Sequence, residues 1–437
     1  MKFSKHNTII PYNDKFALYN AFHQRVLFLE PTLKDILKAA IIEGVDNLDE
    51  IHPTFYQYLK EQEYLIEINI DEVEMVKELR NSIDYNHNDF FLTINPSMNC
   101  NFKCWYCYET HVKGSSLNET MIDSINKFCS ATLQKKSLKN FTLSFFGGEP
   151  LLYFKRDVQP IIKHFIKEAA ATTVTYGIAF TTNGYLINQD FIDFFKNNKI
   201  TCSLQITLDG YGEKHDLVRF VSAKKGSYTE IINNIKLLIN NDFFVRLRVN
   251  YTDKNITDTY KISDEFNDIS KDIKSKNLVF DFHRVWQNAK IDDTDILVDE
   301  NVSKIRSNGI TVFTSKSANN VRESCYADKL NSAVINYNGD IFKCTARDFT
   351  TTKRAGYLTQ NGELIWEDGY LTKRMDAKFN NKPCLICKIM PICNGGCSQH
   401  ALEHLDVEDY CIYQGDENEK DKVVRTKIDE LLNEVSA

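Results

Sequence analysis

The chain lacks any long apolar run. No stretch of its 437 residues approaches about 18 uninterrupted apolar residues, the length that a membrane-spanning helix needs. The opening segment, MKFSKHNTIIPYNDKF, is polar where a secretory signal would be continuously apolar. These absences predict a cytoplasmic protein with no membrane partner, in which cysteines stay reduced and more often bind metals or react than form disulfides.

An excess of positive charge is also missing. The chain has 53 Lys and Arg against 60 Asp and Glu, a formal net charge of -7. Proteins that bind nucleic acid usually carry a basic face, so this balance predicts no nucleic-acid partner. Long repeats and low-complexity linkers are absent as well. The length and the 43% hydrophobic content are enough for two or three domains, each with its own core.

Short apolar runs alternate with amphipathic segments from about residue 95 to 284, a pattern typical of βαβ units around a parallel sheet. The predicted strands are Phe91–Ile94, Phe141–Phe146, Tyr176–Thr181, Cys202–Leu208, Val245–Asn250 and Val279–Phe282. The predicted helices are Glu119–Leu133, Val158–Ala171, Asp190–Asn197, Thr229–Ile239 and Asp258–Ser270. Six such units predict an α/β fold with a closed or partly closed barrel over residues 90–300.

The segment before the barrel has a different pattern. Its predicted strands are Asn7–Tyr12, Phe16–Tyr19, Arg25–Leu29 and Glu63–Ile68, and its predicted helices are Leu33–Ile42 and Pro53–Lys60. This order predicts a small winged-helix-like α+β module over residues 1–85, joined to the barrel by a helical linker, Glu72–Ser82. Residues 416–437 are predicted to close the chain with an amphipathic helix.

Ten of the twelve cysteines fall into two groups, and Cys129 and Cys202 are expected to be core residues. The first group, Cys100-x3-Cys104-x2-Cys107, follows the first barrel strand. Three thiolates on one loop leave a four-iron cluster one ligand short. A zinc site with a distant histidine, or unligated cysteines, is the less favoured interpretation, because structural zinc usually closes with paired knuckles.

Other chemically suggestive residues follow the next three predicted strands. Gly147-Gly148-Glu149-Pro150 ends the second strand, Thr182-Asn183 the third and Asp209-Gly210 the fourth. In βα barrels the loops at the carboxyl ends of the strands build the active site. The placement therefore predicts that all of these residues share one site with the first cysteine group.

The CxxxCxxC loop and the GGEP segment resemble the radical S-adenosylmethionine (SAM) superfamily. The resemblance implies a 4Fe-4S cluster on Cys100, Cys104 and Cys107, whose free iron chelates the amino and carboxylate groups of SAM. Asp209-Gly210 with His215-Asp216 and Arg219 resembles a further motif of maturases in this superfamily. The implied SAM contacts are Tyr106, Gly147, Gly148, Glu149, Thr182, Asn183, Asp209 and Arg219. Alternatives stay open: GGEP as a tight strand-to-helix turn, Thr182-Asn183 as a turn, and Arg219 as a surface ion pair.

The second cysteine group resembles the SPASM domain, which belongs to radical SAM enzymes acting on peptides and proteins and is assigned here to residues 310–415. The resemblance implies two auxiliary 4Fe-4S clusters. Cys384, Cys387, Cys393 and Cys411 would hold one, and Cys325, Cys344 and Cys397 the other. Residues 319–324 supply no fourth cysteine, so the second cluster has either an open iron or a non-cysteine ligand. A zinc ribbon on Cys384-x2-Cys387 and Cys393-x3-Cys397 is the alternative.

The N-terminal module resembles the PqqD-like element that binds the leader of ribosomally made precursor peptides. Together the resemblances imply a radical SAM peptide maturase that installs an intramolecular crosslink and takes electrons from a flavodoxin or ferredoxin. A thioether is favoured if the second auxiliary cluster is open, and a carbon–carbon bond is possible. A sulfatase-type maturase that forms formylglycine is one alternative, although that family has Asp where this chain has Thr345. A non-catalytic iron-sulfur scaffold that binds peptides is the other.

Overall fold

The structure is a computed structural model that describes residues 1–222, 224–287, 294–314, 321–407 and 409–435. It divides into two compact units. The first comprises the described residues within Met1–Asn86, Lys316–Leu330 and Gly369–Ala437, and the second those within His87–Ser315 and Asn331–Asp368. None of the described helices combines the length and the apolar character that crossing a membrane requires.

The second unit is built on a large sheet whose central strands are parallel. These strands are Asp89–Asn95, Asn140–Phe145, Thr175–Thr182, Ser203–Leu208, Phe244–Tyr251 and Leu278–Arg284. Each pairs in parallel with the next along the chain. All six predicted strands are therefore confirmed, with boundaries shifted by one or two residues. The α/β class and the barrel-like parallel sheet follow from the same pattern.

Five further strands extend this sheet and were missed by the prediction. Thr311–Thr314 pairs in parallel with the sixth strand, and Ser332–Asn336 pairs in parallel with the first. Asp340–Phe342, Gly356–Leu358 and Leu364–Trp366 then continue the sheet in antiparallel order. Over the described residues the sheet has two open edges, so the barrel is partial. Strands of three to five residues are too short to show a clear alternation in sequence.

Helices cover one face of this sheet. Their bounds are Glu119–Leu133, Gln159–Ala169, Gln189–Asn197, Glu213–Asp216, Tyr228–Ile239, Lys271–Asn277 and Thr294–Ser307. A π-helical turn, Phe154–Val158, precedes the second of them. The predicted helix Asp258–Ser270 is instead a 3-10 helix, Ile256–Phe266, broken by a non-helical backbone at Asp258. Buried phenylalanines such as Phe165, Phe180 and Phe195 fill the space between the helices and the sheet.

The alternation within each strand decides which side chains reach the opposite face. In Phe244–Tyr251, Val245, Leu247 and Val249 are fully buried in the core. Arg246 and Arg248 alternate with them and therefore point to the other side of the sheet. Polar side chains that alternate with buried apolar ones in such a strand therefore show which face of the sheet can form a site.

The first unit contains five strands, Lys2–Phe3, Asn7–Tyr12, Lys15–Asn20, Arg25–Leu29 and Leu65–Ile66. Its helices are Pro31–Glu43, Leu48–Ile51, Pro53–Glu61, Glu72–Asp84, Tyr370–Met375, Lys382–Leu385, Met390–Cys393, Ser398–Glu403 and Glu417–Val435. The predicted N-terminal α+β order is confirmed. The predicted strand Glu63–Ile68 is too long, since only Leu65–Ile66 pairs, with Lys2–Phe3.

The three-stranded antiparallel sheet of this unit is covered on both faces. Leu18 and Leu29 pack with the N-terminal helices in one cluster. Ala17 and Tyr19 pack in a second cluster with Ile389, Ile392, Val424 and Ile428 of the late segments. The N-terminal residues therefore share a core with the second half of the late cysteine region, and the segment 310–415, predicted as one domain, is divided between the two units.

A buried arginine joins the linker helix to the late segments of the same unit. The Arg80 side chain is 1% exposed and donates hydrogen bonds to the backbone carbonyls of Glu323 and Pro391. Nearby, Lys378 and Asp328 form a buried ion pair of 2.7 Å. These contacts hold the residues around the late cysteines against the helix Glu72–Asp84.

Candidate active site

A cavity lies at the carboxyl ends of the parallel strands of the second unit. Nine of the predicted site residues line it: Cys100, Cys104, Tyr106, Cys107, Gly147, Gly148, Thr182, Asn183 and Arg219. The wall is completed by residues that the sequence did not single out, among them Glu109, His111, Gln205, Thr207, Arg248, Asn250 and Trp286. Two predicted residues, Glu149 and Asp209, lie behind this wall.

The three thiols of the first cysteine group open into this cavity. Burial raises the pKa of Cys100 to about 12 and that of Cys107 to about 11. Neutral thiols are therefore favoured as long as no metal replaces their protons, and iron binding must release these protons. Cys107 Sγ lies 3.5 Å from His111 Nε2. A set of three thiols on one short loop fits the three protein ligands of a four-iron cluster.

The glycine pair allows the GGEP loop to approach the cysteine loop closely. Gly147 and Gly148 have φ values of +77° and +48°, which favour glycine. A Cβ atom on Gly148 would lie 2.3 Å from the carbonyl oxygen of Asn99. The Gly148 N–H donates to Glu109 Oε2 over 2.6 Å. The backbone of the GGEP loop is thus fixed to the cysteine loop and can form a cavity wall without side chains.

Glu149 fixes the third strand end. Its side chain is fully buried, and its carboxylate accepts hydrogen bonds from Thr182 Oγ1 at 2.7 Å, Asn183 N at 2.8 Å and Leu151 N at 3.0 Å. Burial raises the pKa of Glu149, while these three hydrogen bonds oppose the rise. The carboxylate therefore orients the Thr182-Asn183 turn, and its contact with SAM stays a prediction.

Tyr106 is held by a polar network in the cavity wall. Its hydroxyl donates to Asp209, at 2.6 Å from Oδ1, and accepts hydrogen bonds from Arg219 Nη2 at 2.7 Å and Asn250 Nδ2 at 3.0 Å. Arg219 also forms an ion pair with Asp209. The surface ion pair considered for Arg219 is thus a buried pair, in which the Arg219 side chain is 12% and the Asp209 side chain 1% exposed.

His215 supports this network from behind. Its Nδ1 accepts a hydrogen bond from the Asp209 backbone at 3.1 Å, and its Nε2 lies 2.9 Å from Ser227 Oγ. Since the Ser227 hydroxyl donates to the carbonyl of Arg219, Nε2 must donate to Ser227, which defines the neutral tautomer. Burial, and then the charge of Arg219, lower the pKa of His215 well below its usual value.

Glu109 is a cavity residue that the sequence analysis missed. Burial raises its pKa to about 7, with the hydrogen bond from Gly148 opposing and the charges of Asp348 and Glu149 adding to the rise. Its position two residues after Cys107 was the signal that could have found it. Arg248 and Asn250 could have been found from their alternation with buried apolar residues in a predicted strand.

Comparison with known proteins identifies the sheet and its loops. Residues 94–258 match the model of the Radical SAM superfamily. These residues form a radical SAM domain. The matched segment contains the first cysteine group, the GGEP loop, Thr182-Asn183 and Arg219.

Relatives match this chain over different lengths. It is 34% identical to a cysteine-type anaerobic sulfatase-maturating enzyme of Clostridium novyi (strain NT), over 32% of this chain and only 38% of that enzyme. It is 21% identical to the radical SAM cyclopropyl synthase TigE of Paramaledivibacter caminithermalis, over 90% of this chain and 88% of TigE. The fold is similar to Streptococcus suis SuiB bound to the precursor peptide SuiA, with a TM-score of 0.53, 15% identity, and coverage of 91% and 95% of the two chains.

Outside the radical SAM domain, four late cysteines line a second cavity, in the first unit. These are Cys384, Cys387, Cys393 and Cys411, and Tyr410 and Tyr413 complete its wall. Burial raises the pKa of Cys384 to about 11 and that of Cys393 to about 12, and the neighbouring thiols add to both shifts. Four converging thiols fit the ligand set of a closed iron-sulfur cluster. The zinc-ribbon alternative requires Cys397 as the fourth ligand beside Cys384, Cys387 and Cys393. Cys397 does not line this cavity, whereas Cys411 does.

The remaining three cysteines are divided between the units. Cys325 and Cys397 belong to the first, and Cys344 belongs to the second. Asn319 and Asn320, at the start of the segment that supplies no fourth cysteine, lie outside the described residues. Within the described parts of the chain, no group of three or more His, Cys, Asp or Glu side chains is arranged to hold a single metal ion. A four-iron cluster holds its thiolates farther apart than a single ion does. The thiols that line the first cavity and those that line the second therefore stay candidate ligands of clusters.

Proposed function

We propose that this chain is a peptide maturase that uses SAM and a 4Fe-4S cluster to modify a ribosomally made precursor. The observation that carries the proposal is the convergence of Cys100, Cys104 and Cys107 with Gly148 and Asn183 on one cavity of the radical SAM domain. When bound there, the cluster and SAM supply a 5'-deoxyadenosyl radical that abstracts hydrogen from an unactivated carbon.

The residues of the cavity wall bind and orient. We assign the three thiols to the cluster, the Gly147-Gly148 backbone to the amino acid end of SAM, and Thr182 and Asn183 to its ribose. Tyr106, held by Asp209, Arg219 and Asn250, is assigned to the adenine side. Because these groups are held by hydrogen bonds within the chain, few side chains have to be ordered on binding.

A peptide substrate is supported by the relatives and by a sheet edge. TigE and SuiB match nearly the whole chain, and SuiB is known bound to a precursor peptide. In the first unit, Arg25–Leu29 pairs with Lys15–Asn20 on one side and is an edge of its three-stranded sheet. An extended leader can add to such an edge by backbone hydrogen bonds. We therefore assign leader binding to Arg25–Leu29.

We assign Cys384, Cys387, Cys393 and Cys411 to one auxiliary 4Fe-4S cluster, and the ligand set of a second one stays a prediction from the sequence. The cavity shared by these four supports the assignment. A second cluster with three cysteine ligands has room for a thiolate of the substrate, which favours a thioether product, whereas a carbon–carbon bond is the product expected if a protein group closes that site.

If a neighbouring reading frame encodes a short candidate precursor peptide, co-expression of that peptide with this chain tests the proposal. Mass spectrometry is expected to find a product that has lost two hydrogens. In a reaction of isolated peptide with the reconstituted enzyme, prior alkylation of the peptide thiols should block a thioether and leave a carbon–carbon crosslink unaffected. An unmodified peptide, recovered from cells that contain the fully iron-loaded enzyme, would contradict the proposal.

Formylglycine formation is the second candidate, favoured by the similarity to the Clostridium novyi enzyme. Thr345 stands where the sulfatase-maturating family has Asp, and its backbone carbonyl accepts a hydrogen bond of 2.8 Å from Tyr108. Asp348 lies three residues further along the chain. Its carboxylate accepts hydrogen bonds from the backbone N–H and the hydroxyl of Thr110, so both of its oxygens have partners. Loss of the cysteine sulfur from a sulfatase-type peptide would favour this candidate over a crosslink.

A further inference from the structure

One charged side chain of the cavity has no counter-charge within hydrogen-bonding distance. Arg248 lies on the strand Phe244–Tyr251 and lines the cavity. Its Nε donates to Asn250 Oδ1 over 2.9 Å, and among the described residues no carboxylate forms an ion pair with it. Its side chain is largely buried, and burial lowers its pKa from the usual value. A buried guanidinium without a carboxylate is costly, since its lost hydration is not replaced.

The acid opposite Arg248 on the adjacent strand already forms other ion pairs. Asp281 is the register partner of Arg248 on the adjacent strand. Its two oxygens are taken by Arg246 Nη1 at 3.0 Å and by His283 Nε2 at 3.0 Å. Asp281 thus contributes only a longer-range attraction to Arg248.

The other charged groups of the wall do not neutralise Arg248 either. Arg219, which also lines the cavity, is paired with Asp209 and repels Arg248. Glu109 is a carboxylate in the cavity wall, and it accepts a hydrogen bond from the Gly148 N–H. Arg248 is not among the groups that shift the pKa of Glu109. Arg248 therefore presents an uncompensated positive charge to whatever fills the cavity.

We propose that Arg248 binds a carboxylate of the molecule that occupies this cavity, and that it is a specificity-determining residue for that carboxylate. A guanidinium can bind both carboxylate oxygens at once, which gives affinity and orientation together. Two sources have this chemistry: an Asp or Glu side chain or a terminal carboxylate of the precursor peptide, and the carboxylate of SAM. The peptide source rests on the peptide substrate of the proposed function, whereas the SAM source rests only on SAM binding in this cavity.

Three full-length chains with reconstituted clusters test the assignment: the wild type, Arg248→Gln and Arg248→Lys. The SAM arm measures binding of SAM and of decarboxylated SAM by calorimetry. The peptide arm measures the affinity of a candidate precursor peptide from a neighbouring reading frame, and of forms in which each Asp or Glu is replaced by Asn or Gln or the terminus is amidated. Iron content and circular dichroism establish that the variants are folded and loaded.

Arg248→Gln is expected to weaken one ligand by about 10- to 100-fold, the range for a hydrogen bond to a charged group. Arg248→Lys should restore part of the loss. If SAM is the source, Arg248→Gln and the wild type bind decarboxylated SAM equally. If the peptide is the source, one neutralised peptide binds both proteins equally, while SAM affinity is unchanged.

Unchanged binding of SAM and of every peptide by Arg248→Gln would overturn the assignment. An equal loss for SAM and for decarboxylated SAM would also overturn it, because the effect would then not depend on a carboxylate. If the wild type leaves the peptide unmodified and unbound, the proposed function fails, and the SAM arm alone decides the role of Arg248.

Discussion

The backbone N–H of Glu149 donates a hydrogen bond of 2.9 Å to the carbonyl oxygen of Asn99, one residue before the first predicted cluster ligand. With the neighbouring bond from Gly148 to Glu109, it joins the GGEP loop to both ends of the cysteine loop. The cluster ligands and the proposed SAM wall are therefore positioned by one continuous backbone arrangement, and a change in either loop should disturb both.

Gly148→Ala is expected to abolish SAM binding, because its Cβ would meet the Asn99 carbonyl at 2.3 Å at a backbone φ of +48°. Gly177→Ala is the matched control, since nothing lies within 4 Å of a Cβ there. Calorimetry with SAM measures the effect. Wild-type affinity in Gly148→Ala would show that the close approach of the two loops does not matter for binding.

Acid is expected to destabilise the second unit through His215. The folded-state pKa of this histidine is well below 6.5, so the unfolded chain binds the proton more readily. Stability is present above pH 6.5 and is lost as the pH falls below it, at up to about 1.4 kcal/mol per pH unit.

His215→Gln, which cannot gain this charge, should have a weaker pH dependence between pH 6.5 and 5. Urea unfolding followed by tryptophan fluorescence measures it, since Trp105, Trp286 and Trp366 all belong to the second unit. Identical pH slopes for the wild type and the variant would contradict the buried neutral tautomer.

Replacing Cys384, Cys387 and Cys411 together by Ala should remove about four of about twelve irons per chain, because these thiols and Cys393 share one cavity. The iron bound by the first cysteine group should remain. Cys129→Ala, in the buried core, is the control and should retain the full iron content. Iron analysis and electron paramagnetic resonance of the reduced protein follow the loss, and full iron content in the triple variant would refute the assignment.

The sequence patterns predicted the parts of the fold and site that repeat or that have fixed spacing. Long strands such as Asp89–Asn95 were found from apolar runs between amphipathic helices, and Cys100, Cys104 and Cys107 from their spacing. Short strands such as Asp340–Phe342 give too few residues for a pattern. The division of 310–415 between two units depends on packing of Ile389 and Val424 against Tyr19, far away in the chain.

Buried polar residues were harder to predict because their roles depend on neighbours from distant segments. Glu149 was recognised as part of a motif, yet its three hydrogen-bond donors on Thr182, Asn183 and Leu151 could not be read from spacing. The sequence does not distinguish Arg248 from other charged residues in strands. Its lack of an ion pair with Asp281 follows only from the pairing of Asp281 with Arg246 and His283 in the folded chain.

Strand addition of the leader to Arg25–Leu29 can be tested by changing the peptide and not the protein. This matters because the N-terminal residues share a core with the late segments, so a change there would disturb both. A leader peptide N-methylated at alternate residues loses every hydrogen bond that its amides donate to the edge. N-methylation of the other alternate set is the control and should have little effect. Equal affinities for the two methylated leaders in fluorescence anisotropy would exclude pairing with this edge.

The central claim is that the cavity formed by Cys100, Cys104, Cys107 and the GGEP loop cleaves SAM to a radical. The most direct measurement is 5'-deoxyadenosine production by the reconstituted chain with SAM and dithionite under anaerobic conditions. The wild type is expected to form 5'-deoxyadenosine, and a variant with these three cysteines replaced by Ala is expected to form none. Absence of 5'-deoxyadenosine from the iron-loaded wild type, or equal amounts from both proteins, would contradict the claim.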